Sequence, residues 1–562
     1  MKQKNMKRLL GLLLTGAMVV GTLTGCGSAE TKNESKTESK AESSALAESK
    51  NDSSASATSE AAEETGVTYP IEGDVTLTLA LLQESQVTSN GAKNLMETPF
   101  GKAWQEQTGV TIEVIQLADS DAMNLLFAGG DLPDLIYYNF QGGYPGGAAK
   151  AIKDKIIQPL NDYTDYLPDM MSALESDSDY IKSTMTDNGD IIGGPFVRDS
   201  EILRTSAGMM LREDWLNELG LEVPQTPDEL YDVLKAFKEE KGVEAPWSSS
   251  MKWLLQQALG QGHITSPFGL VKTDFYQVDG IVHYGYYESE YKDVLAWLNK
   301  LYEEGLLDAN FQTLDQATEN SNIMNGVSGM TIGPAGSCLG TYINTMKESD
   351  PNYSLVGLAP LVANDGEVAM STHYDNAVTG KFLVMSPQCE NKEVAARFIN
   401  YGYTEAGRMF FNFGIEGESY TMVDGYPTYT DVILNNPDGL TVQQAMAQYE
   451  RAWQDGPFFQ MEEYIEQYYQ LDQQKQALAA WSTSNAADYQ MPAVAIDEED
   501  ASEYSKLTAD ITVYIVEMVV KYITGQKSLD TFETEYLPTL KNMGVERVIE
   551  INQTALDRYN AR

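Results

Sequence analysis

The stretch Ala128-Gly129-Gly130-Asp131-Leu132-Pro133-Asp134-Leu135-Ile136-Tyr137-Tyr138-Asn139 predicts how this chain folds. Gly129 and Gly130 can adopt the positive φ that ends a helix, and Pro133 cannot continue one. Leu135 to Tyr138 is a wholly apolar or aromatic run, which is typical of a parallel strand buried on both faces. The stretch therefore predicts a helix, a turn and a core strand of an α/β sheet.

A polar, glycine-rich loop follows this strand and contains Asn139, Gln141 and Gly142-Gly143. Ligands of open α/β sheets bind just beyond the carboxyl ends of the strands. We therefore expect Tyr138, Asn139 and Gln141 to reach a ligand-binding cleft. The alternative is an ordinary helix–turn–strand unit whose loop meets only solvent.

The residues before this stretch complete a β-α-β-α-β order. Val75 to Leu82 and Val110 to Leu117 alternate like strands, and Leu95 to Gln107 has helical spacing. Such an order predicts a parallel sheet with right-handed crossovers. Further along, Asp187-Asn188-Gly189-Asp190 and Asp279-Gly280 predict hairpin turns.

The N-terminus has the pattern of an export signal. A basic head that includes Lys2 and Arg8 precedes a mostly apolar run from Leu9 to Leu23, which is too short for a comfortable membrane span. Leu23-Thr24-Gly25-Cys26 resembles the lipobox of bacterial lipoproteins, in which the cysteine is acylated and becomes the new N-terminus. We expect residues 1–25 to be removed and Cys26 to hold the chain on the membrane.

Residues 26–68 are rich in Ser, Ala, Glu and Lys and have almost no large apolar side chain. Such a segment cannot bury enough surface to fold, so we expect a disordered tether. The rest of the chain contains enough apolar residues for a sizeable hydrophobic core. It is also too long to fold around a single core.

The whole chain has a formal net charge of −45, which argues against nucleic acid as a partner. Cys338 and Cys389 are the only other cysteines, and we favour two free buried thiols over a bridge. The histidines, at positions 263, 283 and 373, show no metal-ligand spacing.

Several short motifs, in this order, resemble the extracellular solute-binding proteins of ABC importers, in the carbohydrate (family 1) branch. The long lipoproteins of Gram-positive bacteria are the most similar type. Each motif is weak alone and their order is specific; they are the lipobox, Gly130-Asp131-Leu132-Pro133-Asp134, Asp214-Trp215-Leu216, Pro224-Gln225-Thr226-Pro227-Asp228-Glu229-Leu230, Gly329-Met330, Asn391-Lys392-Glu393-Val394-Ala395 and Ile523-Thr524-Gly525-Gln526-Lys527.

The resemblance implies an α/β, two-lobed fold of the periplasmic-binding-protein type II, with a mostly parallel sheet in each lobe and a hinge between them. We expect residues 69–200 and 375–490 in the N-terminal lobe, and 201–374 and 491–562 in the C-terminal lobe. The implied function is capture of an oligosaccharide outside the cell and its delivery to the permease subunits of an ABC transporter. The protein would be a monomer without a cofactor or metal, held on the cell membrane through Cys26.

A sugar site needs flat aromatic rings and hydrogen-bonding side chains. The family's loop after the Gly-Asp-x-Pro-Asp strand touches sugar, which again indicates Tyr138, Asn139 and Gln141. Many relatives also stack an aromatic residue after the Gly-Pro of a later strand, but Ala335 and Gly336 follow Pro334 here. The other predicted ligand-binding residues are Trp247, Trp253, Tyr374, Asp375 and Trp453.

Two other functions stay open at this point. A tethered surface enzyme that acts on glycosides would need two opposed carboxylates, which no local motif marks. A peptide-binding or sensory receptor could use the same fold. We favour a binding protein that is not an enzyme.

Overall fold

A computed structural model describes residues 67–562, and the predictions for the signal sequence, for Cys26 and for nearly all of the tether lie outside these residues. The strands, in chain order, are β1 (Val75–Leu82), β2 (Val110–Leu117), β3 (Leu135–Asn139), β4 (Gly194–Arg198), β5 (Ala207–Arg212), β6 (Phe275–Val278), β7 (Ile281–Tyr284), β8 (Met330–Pro334), β9 (Leu355–Leu358), β10 (Val378–Met385), β11 (Tyr420–Val423), β12 (Tyr426–Tyr429) and β13 (Phe459–Gln460).

Helices surround these strands. They are α1 (Ser85–Thr88), α2 (Pro99–Thr108), α3 (Ser120–Gly129), α4 (Gly147–Lys153), α5 (Pro168–Leu174), α6 (Ser178–Thr184), α7 (Glu201–Arg204), α8 (Glu213–Leu219), α9 (Pro227–Glu240), α10 (Met251–Trp253), α11 (Tyr291–Glu303), α12 (Gln316–Met324), α13 (Thr341–Met346), α14 (Lys392–Asn400), α15 (Glu405–Phe413), α16 (Asp431–Leu434), α17 (Val442–Tyr449), α18 (Glu462–Tyr468), α19 (Asp472–Trp481), α20 (Ala486–Tyr489), α21 (Glu498–Ile523), α22 (Leu537–Met543) and α23 (Val545–Ala561). Three π-helical segments interrupt or extend them, at Leu254–Leu259, Ala335–Gly340 and Phe532–Tyr536.

The first lobe is built on a mixed sheet with the strand order β13-β4-β10-β3-β1-β2. Strand β1 pairs in parallel with both β2 and β3, as the β-α-β-α-β pattern predicts. Helix α3 ends at Gly130, which has φ +74, and the strand of the opening stretch follows as β3. This α/β arrangement confirms the fold class that the sequence predicts.

The second lobe differs from the prediction in the direction of its strands. Its sheet has the order β8-β5-β9, and β5 pairs antiparallel with both neighbours. Strand β5 enters from the first lobe at Ala207, whereas β8 returns and ends at Pro334 opposite Ala207. A mostly parallel sheet is therefore found only in the first lobe.

Three segments cross between the sheets. Residues 199–206 join β4 to β5, residues 359–377 join β9 to β10, and residues 461–471 lead from β13 to α19, which packs on β5 and β9. The first two segments are bonded together, since the Asp375 amide donates to the Arg204 carbonyl and the Thr205 hydroxyl donates to the His373 carbonyl. The predicted boundary at residue 490 falls later than the third crossing.

Right-handed crossovers decide which helices cover each face of the first sheet. The connection from β1 to β2 runs one way across the sheet, and the connections from β2 to β3 and from β3 to β4 run the other way. Helix α2 therefore lies on the opposite face from α3 and α6. Helix α17 packs on α1 and α2 and belongs to the α2 face.

Several local predictions are confirmed. Thr226 and Glu229 form a capping box at the start of α9, and Asp279-Gly280 turns between β6 and β7. Cys338 and Cys389 are free and buried.

Between residues 67 and 562, no helix is both long and apolar enough to cross a bilayer, and no group of three or more His, Cys, Asp or Glu could hold a metal ion.

Candidate functional site

A groove of about 690 Å³ lies between the lobes on the α2 face of the first sheet. One wall is the carboxyl end of β8 with the π segment and α13 that follow it, all from the second lobe. The other wall is the start of α17, which the first lobe holds through hydrogen bonds from Gln86 to Gln443 and from Asn90 to the Gln444 carbonyl. Residues of the third crossing segment and α19 form the floor.

The groove is lined only by neutral side chains. Hydroxyl, amide and tyrosine groups alternate with small residues, and no Asp, Glu, Lys, Arg or His is present among them. The lining residues are Ser206, Pro334, Gly336, Ser337, Gly340, Thr341, Asn344, Thr345, Thr441, Val442, Gln443, Tyr468, Tyr469, Gln470 and Gln474.

Two glycines let the β8 end approach the floor closely. A Cβ on Gly336 would lie 3.3 Å from the Tyr468 hydroxyl, and one on Gly340 would overlap the Gln474 side-chain amide. That amide donates to the Ala335 carbonyl at 2.9 Å and accepts from the Leu471 amide at 3.2 Å. Because Gly336 has no side chain, the Tyr468 hydroxyl is not covered from this side of the groove.

Tyr468 supplies an aromatic surface at this position. Its half-buried ring stacks on Tyr464, with the centroids 5.6 Å apart and the planes at 25°, and it meets Tyr469 edge-on at 4.9 Å. Burial raises the pKa of Tyr468 above its ordinary value, and the nearby Glu450 adds to this shift. The hydroxyl consequently keeps its proton and can donate as well as accept a hydrogen bond.

A second space lies beside the crossing segments on the α6 face, and we call it the hinge cavity. It has a larger chamber of about 360 Å³ and a smaller one of about 350 Å³, which share Asn376 and Val378. Arg204 and Tyr374 line the larger chamber, and Gln141, Arg198 and Asp375 line the smaller one.

The hinge cavity is bordered by direct contacts between the lobes. Tyr559 of α23 lies 2.9 Å from the Ser183 hydroxyl of α6, oxygen to oxygen. Arg558 of α23 and Arg562, which directly follows this helix, both pair with Asp187 in the hairpin turn of the first lobe, at 2.9 and 2.7 Å. The lobes thus touch on this side, whereas the groove on the other side is open.

Three of the predicted binding residues meet at the hinge cavity. Gln141 donates to the Ser183 carbonyl at 3.0 Å, and Asp375 pairs with Arg198 at 2.7 Å. Tyr374 accepts a 2.8 Å hydrogen bond from Arg204 through its hydroxyl. Arg204 donates to this tyrosine hydroxyl and to the Arg198 carbonyl.

Tyr138, Asn139 and Trp247 line neither space. Tyr138 is 5% exposed among the core aromatics and donates to the Gly143 carbonyl, so its ring does not reach a cleft. Trp247 is fully buried in the core of the second lobe, because its segment runs beside β8 and forms parallel β-bridges with Met330 and Leu307. Asn139 accepts from the Gly142 amide and closes its own turn.

The last two predicted tryptophans are part of the packing. Trp253 donates to Gln316 at 2.7 Å on the surface of the second lobe. Trp453 is half-buried between the core of the first lobe and the cluster beside the groove, without lining the groove. None of the eight predicted residues lines the groove. The run Tyr464-Ile465-Glu466-Gln467-Tyr468-Tyr469-Gln470, dense in tyrosine and glutamine, is the signal that would have indicated it.

The model of the family of bacterial extracellular solute-binding proteins matches residues 100–409, more than half of the chain. The protein therefore belongs to this family, as the motif order predicts.

Two curated relatives agree with this assignment. Lipoprotein LipO of Bacillus subtilis is 28% identical over 370 residues, which are 63% of this chain and 70% of LipO. The fructooligosaccharide ABC transporter substrate-binding protein FusA of Streptococcus pneumoniae is 23% identical over 535 residues, 88% of this chain and 93% of FusA.

Solved structures share the fold. The alginate-binding protein AlgQ2, crystallised without calcium ion, has a TM-score of 0.65 and 23% identity over 87% of this chain and 99% of AlgQ2. An extracellular solute-binding protein from Bifidobacterium longum subsp. infantis has a TM-score of 0.67 and 20% identity, with 87% and 99% coverage.

Proposed function

We propose that this solute-binding protein captures an uncharged oligosaccharide in the groove and delivers it to the permease of an ABC transporter. The ligand would enter while the lobes are apart and be enclosed as they rotate about the crossing segments. Only a ligand that binds the closed arrangement more tightly can shift the equilibrium toward it.

The neutral lining of the groove is the observation that carries this proposal. The chain has a formal net charge of −45, and charged residues make up 22% of it, yet none of them lines the groove. Uncharged sugars present hydroxyl edges, which amides and hydroxyls bind, and C–H faces, which tyrosine rings cover. The name of one relative supports the same class of ligand, since FusA is described as a fructooligosaccharide ABC transporter substrate-binding protein.

The two other functions need charges that the groove lacks. A glycoside-cleaving enzyme uses two opposed carboxyl groups, and no carboxylate lines the groove. Glu450 lies behind Tyr468, fully buried, and burial raises its pKa well above the ordinary value. A receptor for free peptides would be expected to present partners for the charged termini, and the groove offers none.

The membrane anchor is part of the proposal. Cys26 would carry the lipid, and the tether would hold the binding body near its permease. Cys26→Ser should release the protein from the membrane fraction. A variant that stays in that fraction after a salt wash would contradict the lipid anchor and leave the proposed ligand untouched.

A ligand screen tests the proposed function directly. Thermal shift with uncharged oligosaccharides such as kestose and maltotriose, against tri-galacturonic acid and short peptides, should give stabilisation only with uncharged sugars. The bound sugar should be recovered unchanged, because a binding protein does not turn it over. Stabilisation by peptides alone, or release of reducing sugar, would overturn the proposal.

A further inference from the structure

The larger chamber of the hinge cavity holds an arginine without a carboxylate partner. Within residues 67–562, no Asp or Glu oxygen lies within 4.0 Å of the Arg204 guanidinium, and Arg204 is the one cation that lines this chamber. Two carboxylates of the crossing segments are paired with other arginines, Asp375 with Arg198 at 2.7 Å and Asp199 with Arg408 at 3.3 Å.

The guanidinium of Arg204 is held in a fixed orientation. Its Nε donates to the Arg198 carbonyl at 3.0 Å and one Nη donates to the Tyr374 hydroxyl at 2.8 Å. Its carbon also lies 5.4 Å from the centroid of the Tyr374 ring. These contacts use two of its five N–H groups, and the Tyr180 hydroxyl also lies beside the guanidinium. The remaining N–H groups can bind an anion in the chamber.

The rest of the chamber limits what such an anion could be. Its hydroxyl and amide groups come from both lobes, among them Ser183, Asn376, Gln490 and Tyr559. Exposed Asp177 and Asp179 stand at its edge and would repel a ligand with several negative charges. The larger chamber, with a volume of about 360 Å³, has room for one small molecule beside Arg204.

We propose that the hinge cavity is a second binding site, for a small molecule that carries one carboxylate together with hydroxyl or ammonium groups. The carboxylate pairs with Arg204, and the remaining polar groups bind the amides and hydroxyls of the chamber. Uronic acids and α-amino acids share this chemistry.

A molecule bound at this site also affects oligosaccharide binding in the groove. This part of the inference rests on the proposed function. The chamber is lined by α6 of the first lobe and α23 of the second, on the opposite sheet face from α17 and the groove. A rotation that closes the groove separates α6 from α23. A molecule bound between them therefore opposes closure and weakens oligosaccharide binding.

Calorimetry with galacturonate, L-serine and galactose tests the second site. Galacturonate, L-serine or both should bind in about the millimolar range, and galactose should not. Arg204→Gln should weaken carboxylate binding about tenfold or more, since it removes a charge-assisted pair. The matched control Arg547→Gln, which alters a surface arginine far from the cavity, should bind like the wild type.

Two further variants separate this site from the groove and from a folding defect. Tyr374→Phe keeps the ring and removes the hydroxyl that holds the guanidinium, and we expect a several-fold loss of carboxylate affinity. Tyr468→Ala should leave carboxylate binding unchanged while it weakens oligosaccharide binding. No carboxylate binding by the wild type, or equal binding by Arg204→Gln, would overturn the second site, whatever the groove binds.

Discussion

The groove and the hinge cavity lie on opposite sides of the same crossing segments and differ in chemistry. The groove is open and neutral, and its walls approach each other through glycines. The hinge cavity carries Arg204, Arg198 and Asp375, and contacts between α6 and α23 border it. Both spaces lie at the ends of strands. This location alone therefore does not identify the proposed sugar site.

The largest effect that we expect is a loss of folding stability at higher pH, with sugar affinity unchanged. Burial raises the pKa of Glu319, on α12 in the second lobe, from 4.5 to about 7. The unfolded chain therefore releases this proton at lower pH than the folded chain does. Below pH 4.5, Glu319 makes its full contribution to the free energy of unfolding. This contribution is lost as the pH rises through about 7, and the total loss is roughly 3 kcal/mol.

Chemical denaturation between pH 4 and pH 8, roughly the range over which Glu319 titrates, measures this effect. Glu319→Gln should remove the part of the loss that Glu319 causes and leave the part caused by Glu450, whose pKa burial also raises. Sugar affinity should stay constant from about pH 5.5 to pH 8, because no lining residue of the groove titrates there. An affinity that follows the stability would mean that the groove and the second-lobe core are not independent.

The next effect concerns the close approach at Gly340. Gly340→Ala places a methyl group against the Gln474 amide and should destabilise the fold by about 1–3 kcal/mol. Oligosaccharide binding should weaken about tenfold, since the displaced amide belongs to the groove. Gly129→Ala is the matched control, because a Cβ there meets nothing within 4 Å. Denaturation and calorimetry should be carried out on both variants. Equal stability and equal sugar affinity of the two variants would contradict this role of Gly340.

A smaller effect follows from the contacts beside the hinge cavity. Asp187→Asn weakens the pairs with Arg558 and Arg562, which join the lobes on the side that must separate during closure. We expect sugar affinity to rise by a few fold, about 1 kcal/mol or less for partly exposed pairs. Scattering should show a closed form at lower sugar concentration. A fall in affinity would indicate that these pairs support the closed arrangement.

The fold of the first lobe was predictable because its signals are local. Gly130 and Pro133 set the end of α3 and the start of β3, and alternation in Val75–Leu82 sets β1. The direction of β8 relative to β5 was not predictable, since it depends on a return path of more than a hundred residues. The resemblance to the family therefore predicted the two lobes better than it predicted strand direction.

Which residues line a cavity was harder to predict, because burial depends on distant packing. Trp247 occupies a loop without helical spacing, which suggested a site, yet it fills the core between β8 and α11. Tyr468 lies on a short helix, and its place depends on Gly336, more than a hundred residues earlier in the chain. Gln141, Tyr374 and Asp375 do come together, at the hinge cavity rather than at the groove.

Calorimetric titration of the best uncharged oligosaccharide tests the central claim most directly, with Tyr468→Ala beside Tyr374→Ala. The first variant removes the aromatic surface of the groove and the second removes a comparable ring from the hinge cavity. We predict that Tyr468→Ala weakens binding by roughly 1–3 kcal/mol while Tyr374→Ala changes it little. The reverse pattern would show that the sugar binds in the hinge cavity and would contradict the assignment of the groove.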